Sequence, residues 1–249
     1  MTKKSIELEN LSVYYGKRCA IWDINVTFQS HNLTGILGPN GSGKSTMVQA
    51  ILGLLPITSG TVRQQGVSIA YVPQKKEIDL DFPISILDLV LMGAYHRLGW
   101  LKWYNKKERS LALSIMQRLG IEHIKDRQIQ EVSGGQLQRA IVARALLQDA
   151  DFYILDEPFT GIDFATEKLL ISLFRELRDR GKGVILVHHD LTNVEEIFDE
   201  VVMVNSRLVC SGPTKQVFDT HSVQKTYGDK ETLLEEASHL FEKVRKGKT

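Results

Sequence analysis

Apolar and polar positions alternate over residues 6–13, the period of a half-buried strand, and again over 21–28, where Trp22, Ile24, Val26 and Phe28 fall on one face. Residues 33–37 form a short continuous apolar run that stops at a glycine-rich loop. This is the pattern of a buried strand, and the spacing over 44–54 then predicts a helix. A further buried-type strand over 67–72 is stopped by Pro73. The rhythm then changes. No good strand candidate occurs over 84–147, whereas 86–92, 106–119 and 134–147 carry apolar residues at helical spacing, punctuated by Pro83, Gly93, Gly99, Gly120, Gly134 and Gly135. Strands return over 151–155, 183–188, 201–204 and 207–210, with helices over 164–180 and 191–198 between them, and the last two strands predict a hairpin around Asn205 and Ser206. The expected architecture is therefore α/β, with one core over 1–220, a helical subdomain of about 75–148 inserted into it, and a polar tail over 221–249 that contains a helix over 231–244.

Composition narrows the function classes. A chain of 249 residues, 43% hydrophobic and 24% charged, has the make-up of an ordinary globular protein with one substantial core. Lys and Arg total 31 against 30 for Asp and Glu, a net charge of +1, so no nucleic-acid partner is expected. Apolar runs such as 51–57 fall far short of the roughly 20 residues that cross a bilayer, and no secretory signal precedes the first strand. The expectation is a soluble chain that meets a membrane only through a partner. Cys19 and Cys210 lack metal-ligand spacing and read as incidental thiols in a reducing compartment.

The chemistry concentrates in a few segments. Gly38, Pro39, Asn40, Gly41, Ser42, Gly43, Lys44, Ser45 and Thr46 fit GxxxxGK[ST] between a strand and a helix. Backbone N–H groups of such a loop cradle phosphates, Lys44 would reach the β and γ phosphates, Ser45 would place its hydroxyl on Mg²⁺, and Thr46 would add an α-phosphate contact. The apolar strand ending in Asp156 and Glu157 supplies paired carboxylates: Asp156 as a Mg²⁺ partner, Glu157 as the general base for the attacking water. His188 and His189 end another apolar strand, and spacing alone leaves open which of them faces the γ-phosphate; Asp190 beside them also suits a helix N-cap. Gln74, just past a strand, offers an amide to Mg²⁺ or the lytic water. Ser133, Gly134, Gly135 and Gln136 open a helix and form a second anion-binding surface. A chain with one phosphate cradle has no obvious use for two, which points to a head-to-tail homodimer with ATP in its interface.

Taken in order, these motifs resemble the ATP-binding cassette family over about residues 6–218. The resemblance identifies 38–46 with the Walker A loop, Gln74 with the Q-loop, 132–136 with the signature motif (Val132 where Leu is usual) and 153–157 with Walker B. It implies a D-loop ending at Asp163, a switch histidine at His189, and an adenine-stacking aromatic at Tyr15, with Tyr14 its near competitor. The implied fold is a P-loop NTPase-like core with an antiparallel β subdomain and an inserted α-helical subdomain. The implied activity is hydrolysis of Mg²⁺-ATP at a homodimer interface on the cytoplasmic face of the membrane, coupled through residues 74–88 to integral-membrane permease subunits. Residues 79–88, 90–93, 159–163, 188–190 and 198–199 are similar to the manganese/zinc/iron uptake group, whose full systems include an extracytoplasmic metal-binding protein, and 97–100 leans toward its manganese and iron members. The competing expectations are importers of iron chelates, soluble cassette ATPases of DNA repair or translation, and a non-catalytic paralogue. The soluble relatives carry tandem cassettes or long coiled-coil inserts, and the intact Glu157 and His189 speak against the paralogue. Trp100, Trp103 and Tyr104, among Arg97, Lys102, Lys106 and Lys107, read either as core aromatics or as a contact surface for a partner or a nucleic acid.

Overall fold

The computed structural model describes residues 4–64, 66–75, 78–95 and 105–228. In chain order its elements are β1 (Ser5–Tyr15), β2 (Arg18–Gln29), β3 (Leu33–Leu37), α1 (Lys44–Ile51), β4 (Ser59–Arg63), β5 (Ile69–Val72), α2 (Ile86–Leu91), α3 (Lys106–Arg118), α4 (Gly134–Gln148), β6 (Phe152–Asp156), α5 (Phe164–Asp179), β7 (Gly183–His188), α6 (Val194–Ile197), β8 (Glu200–Asn205), β9 (Arg207–Pro213), α7 (Thr214–Val217) and α8 (Thr220–Tyr227). They fall into two compact units, one formed by the described residues up to Val67 together with those from Leu177 onward, and the other by the described residues from Ser68 to Glu176. Among the described residues no helix is long and apolar enough to cross a membrane.

The first unit contains an antiparallel sheet in the order β2-β1-β4. Ile6, Leu8, Leu11 and Val13 of β1 meet Phe28, Val26, Ile24 and Ile21 of β2, and all eight are buried. The pairing is not regular. It shifts register beyond Leu8, and Asp23 adopts a φ of 51°. An extra residue in one strand moves the following side chains to the other face. The expectation that Trp22 shares the face of Ile24 is therefore corrected: Ile21 takes the core position, while Trp22 is exposed with the Arg207 guanidinium stacked 3.5 Å from its ring centre. Strand β4 has no sequence signature. Only Val62 is even half-buried, and pairing with β1 rather than an apolar face fixes it as a strand.

The same unit holds β3 between β7 and β8, parallel to both, with β9 antiparallel to β8. Every residue of β3 is buried, which is why it reads as a continuous apolar run rather than an alternation. Asp199 locks its entry, accepting from the Leu33 N–H at 2.9 Å and from the Arg178 guanidinium at 2.8 Å. Helix α6 is shorter than the pattern over 191–198 predicts, because Asp190 folds residues 190–192 into a side-chain-capped turn with Thr192 instead of capping a helix. Helix α8 falls within the stretch read as polar tail. Asp219 caps it by accepting from the Ser222 N–H at 2.7 Å, and it buries Val223, Thr226 and Tyr227. The helix expected over 231–244 lies outside the described residues.

In the second unit β5 and β6 pair in parallel, Ile69 opposite Phe152 and Val72 opposite Leu155. Helix α4 packs on α2 and α3, with Ile86, Val90, Ala112, Met116 and Ile141 buried. Gly93 admits the α4 backbone: a Cβ there would overlap the Arg144 carbonyl oxygen. Ser85 caps α2 through the Asp88 N–H and Asn105 caps α3 through the Lys107 and Glu108 N–H groups, so local side chains start both helices. Arg97, Trp100, Lys102, Trp103 and Tyr104 lie outside the described residues; Lys106 and Lys107 are exposed on the first turn of α3.

Candidate active site

Residues 38–43 run from the end of β3 into α1, so a buried strand and a helix N-terminus aim the loop. Lys44 is the first residue of α1, and its buried ammonium donates to the Gly38 and Pro39 carbonyls at 2.8 and 2.9 Å. Its head therefore sits inside the loop, where a phosphate would lie in a cradle of this type. Ser45 and Thr46 follow on the same turn, half-buried. The loop is backed by the β8–β9 turn: Ser206 N–H donates to the Ser42 carbonyl at 2.8 Å, and Trp22 N–H donates to the Ser206 carbonyl at 2.7 Å. The Ser42 hydroxyl is buried without a hydrogen-bond partner.

Two ambiguities in the sequence receive a structural context in this unit. Tyr14 and Tyr15 end β1, and both are exposed. The Cys19 side chain, opposite it in the sheet, hydrogen-bonds the Tyr14 phenol and raises its pKa above 10.0, while the Tyr14 N–H donates to the Thr58 hydroxyl at 3.1 Å. Tyr15 stands at the strand end beside the turn. His188 is the last residue of β7, buried with its ring centre 5.8 Å from that of Phe198; His189 lies one residue past the strand and is exposed. At Asp190 burial pushes the carboxyl pKa up, but the Thr192 hydroxyl and amide, helped by the charges of the two histidines, outweigh it and hold it below 3.8.

The second unit gathers the remaining candidates. Asp156 ends β6, buried, and accepts from the Gln74 amide at 3.0 Å, so the two expected Mg²⁺ partners of this unit touch. Within this unit the Asp156 carboxylate and the Gln74 amide oxygen are hard oxygen donors of the kind that suits Mg²⁺, and the Ser45 hydroxyl of the first unit is a donor of the same kind. Glu157, leaving the strand, has a φ of 52°, a conformation uncommon for a residue with a side chain and costing about 1 kcal/mol or more. Among the described residues its carboxylate accepts from one weak donor, the Thr160 hydroxyl at 3.4 Å. Ser133 is the N-cap of α4: its hydroxyl accepts from the Gln136 N–H at 3.3 Å, and the Gln136 side chain accepts from the Ser133 N–H at 2.9 Å. The half-buried Gly134 and Gly135 continue the turn. Asp163 caps α5 through the Thr166 amide and hydroxyl, both at 2.9 Å, and the Thr166 amide above all holds its pKa below 3.8. An Asp just ahead of an apolar-periodic helix is itself an N-cap signal, so this capping role of Asp163 was findable from the sequence. An ideal Cβ on Gly135 would lie 4.0 Å from the Asp163 carboxylate, so α4 and α5 start side by side.

A glycine-rich phosphate loop with its lysine, a buried strand ending in Asp-Glu, and a capped Ser-Gly-Gly helix start thus occur on one chain. The family model described as ABC transporter matches residues 21–160, more than half of the chain. The chain belongs to the ABC transporter family. Two relatives extend the match to nearly the whole sequence. The manganese transport system ATP-binding protein MntB of Bacillus subtilis (strain 168) is 44% identical over 238 residues, covering 93% of this chain and 95% of its own. The zinc transport system ATP-binding protein TroB of Treponema pallidum (strain Nichols) is 43% identical over 234 residues, covering 91% and 88%. Among solved structures, an inward-facing transporter described as of the metal-chelate type matches with a TM-score of 0.81 and 27% identity, covering 91% of this chain and 89% of its own. The cbiO1 protein of Clostridium perfringens, part of the ABC transporter complex cbiONQ, matches with a TM-score of 0.74 and 28% identity, covering 90% and 94%. This ABC chain is accordingly an ATP-binding subunit with an ATPase activity coupled to transport, and its α/β fold with an antiparallel sheet is that of the family's cassettes.

Proposed function

We propose that this ATPase energises import of a divalent transition-metal ion, manganese first, through a membrane permease. The observation that carries the proposal is the 44% identity to the manganese system MntB over 93% of the chain, which includes the partner-facing stretch as well as the catalytic motifs. Zinc is the second reading, favoured by the 43% identity to TroB. The chain would work at the cytoplasmic face of the membrane as a homodimer, with an extracytoplasmic metal-binding protein completing the system. Leu80, Phe82, Met92 and Tyr95 are exposed apolar side chains in and just after residues 74–88, the stretch assigned to permease docking.

In this reading Tyr15 stacks on adenine and residues 38–46 hold the phosphates, with Lys44 exchanging two loop carbonyls for phosphate oxygens. Mg²⁺, when bound, neutralises charge on the β and γ phosphates. Glu157 takes a proton from the attacking water, His189 orients the γ-phosphate, and Gln74 links the Asp156 carboxylate to the docking stretch that follows it. Ser133, Gly134, Gly135 and Gln136 of one copy close over the ATP held by the other, and Asp163 couples the two sites. Proteoliposomes holding this chain and its co-purified permease test the proposal: ATP-dependent uptake of manganese, with zinc as competitor, is expected. Uptake of neither metal, or no membrane partner at all, refutes it.

A further inference from the structure

Strand β2 and the β8–β9 turn hold one peptide of the phosphate loop between them. Ser206, the turn residue, commits both its backbone groups: its N–H donates to the Ser42 carbonyl at 2.8 Å, and its carbonyl accepts from the Trp22 N–H at 2.7 Å. In a trans peptide the C=O and N–H point in opposite directions, so a bond to the Ser42 carbonyl turns the Gly43 N–H away from the β8–β9 turn. Gly43 is also pressed onto β2. A Cβ there would overlap Cγ2 of Ile21 and lie 2.7 Å from the Ala20 carbonyl oxygen. The start of the loop meets the same hairpin, since a Cβ on Gly38 would overlap the Val204 carbonyl oxygen. Two left-handed residues flank this junction, Ser206 at φ 57° and Asp23, next to Trp22, at φ 51°. Residues with side chains hold that conformation where their surroundings over-determine it. The side-chain contact across the junction is the Arg207 guanidinium, stacked 3.5 Å from the ring centre of Trp22, with both side chains exposed.

We propose that Trp22 and Arg207 are positioning residues for the phosphate loop: their stack clamps the Ser206 turn onto β2, which fixes the Ser42–Gly43 peptide and so sets the affinity for ATP. The proposal rests on the reading of residues 38–46 as the ATP site. An exposed cation over an exposed ring adds little to the stability of a whole chain. Its leverage comes from Ser206, the residue before Arg207, which carries one bond to Trp22 itself and one to the loop. Without the stack the turn can lift from β2 and take the Ser42 carbonyl with it. ATP then selects only the chains whose Gly43 amide is in place, and the apparent affinity falls by that fraction.

The test uses the full chain, with ATP displacing a fluorescent ATP analogue, steady-state hydrolysis, and thermal unfolding without nucleotide. Trp22→Ala, which leaves the charge unchanged, and Arg207→Ala are each expected to weaken ATP about two- to fivefold, the worth of an exposed cation–π pair. Each should raise KM while kcat stays within about twofold, the mark of lost binding rather than lost chemistry. The double variant should bind no worse than the weaker single one, because either substitution alone removes the stack. Arg207→Lys keeps a cation for the ring and should bind closer to the parent than Arg207→Ala does; it also serves if an alanine variant does not fold. Lys44→Ala is the control. Weakened binding in Lys44→Ala, with parental affinity in Trp22→Ala and Arg207→Ala, overturns the inference and leaves the ATP site standing, even if both variants unfold earlier. Two losses that add in full in the double variant also overturn it, since the pair then does not act as one clamp. Unchanged binding in Lys44→Ala overturns the site and the inference with it.

Discussion

Ser133 has two jobs that a single substitution separates. Its hydroxyl caps α4 through the Gln136 N–H, and the proposed dimer aims the same hydroxyl at a partner's γ-phosphate. Ser133→Ala removes both, at a stability cost of about 1 kcal/mol for a lost N-cap. In a chain of this size that lowers the thermal midpoint by about 2–4 °C. Ser133→Asp keeps the cap, because a carboxylate accepts from the same N–H and favours a helix N-terminus, so stability should stay within about 0.5 kcal/mol of the parent. Its charge would face a phosphate. Two like charges about 4 Å apart at an effective dielectric of 20 repel by about 4 kcal/mol, or about a thousandfold in the closing equilibrium. Nucleotide-free unfolding reads the first effect. ATP-driven dimerisation on a sizing column, in a Glu157→Gln background, reads the second. A Ser133→Asp protein that unfolds like the parent yet dimerises and hydrolyses normally would sink the placement of Ser133 on phosphate. One that unfolds as early as Ser133→Ala would sink the capping account.

Other expectations are more direct. Glu157→Gln keeps the shape of a side chain with one weak partner, so ATP binding should persist while hydrolysis falls at least about a hundredfold; normal turnover would remove Glu157 as the base. Asp199→Ala leaves the Leu33 N–H and Arg178 without their carboxylate and should cost about 2 kcal/mol, read as a fall of about 4–8 °C in the midpoint; an unchanged midpoint contradicts the lock on β3. Acid should loosen three local turns together. The Thr166 amide holds the Asp163 pKa below 3.8, the Ser222 amide does the same for Asp219, and at Asp190 the Thr192 contacts overcome the upward push of burial. All three pKa values are lower folded than unfolded, so their contribution is fully present above about pH 3.8 and is lost as pH falls through the folded values. Replacing the three with Ala should flatten the decline of the thermal midpoint as pH falls below about 3.8, and an equally steep decline there refutes the assignment.

The parallel core was legible because burial on both faces writes an unbroken apolar run, as in β3 and β7, whose length alone marks a strand. The phosphate loop and the Asp-Glu strand end were legible because their chemistry demands fixed residue types at fixed spacing. Three features were not. Strand β4 presents no apolar face, so nothing in its five residues distinguishes it from a loop until β1 pairs with it. Trp22 sits where a bulge reverses the alternation, and a backbone at φ 51° on Asp23 leaves no mark in the apolar pattern. Helix α8 carries its buried side chains only at Val223, Thr226 and Tyr227, too few for a periodicity, and one of them is polar. Spacing also could not divide His188 from His189, because a turn at the strand end, which puts one ring on Phe198 and leaves the next exposed, writes nothing into the apolar pattern.

What the motifs conceal is that the polar groups expected to grip ATP and its metal already have protein partners. Lys44 holds the Gly38 and Pro39 carbonyls, Gln74 holds Asp156, Ser133 and Gln136 cap each other, and Asp163 holds Thr166. Binding is therefore an exchange of partners, and each contact contributes the difference between two hydrogen bonds rather than the whole of one. The exchange is least costly where the protein partner is a backbone carbonyl that water can satisfy once released, and most costly where a buried carboxylate such as Asp156 would be left behind. In the proposed reading a bound cation would compete with the Gln74 amide for the Asp156 carboxylate. If residues 74–88 dock on a permease as proposed, Gln74 at the head of that stretch would feel the arrival of the metal through its 3.0 Å hydrogen bond to the buried Asp156 carboxylate.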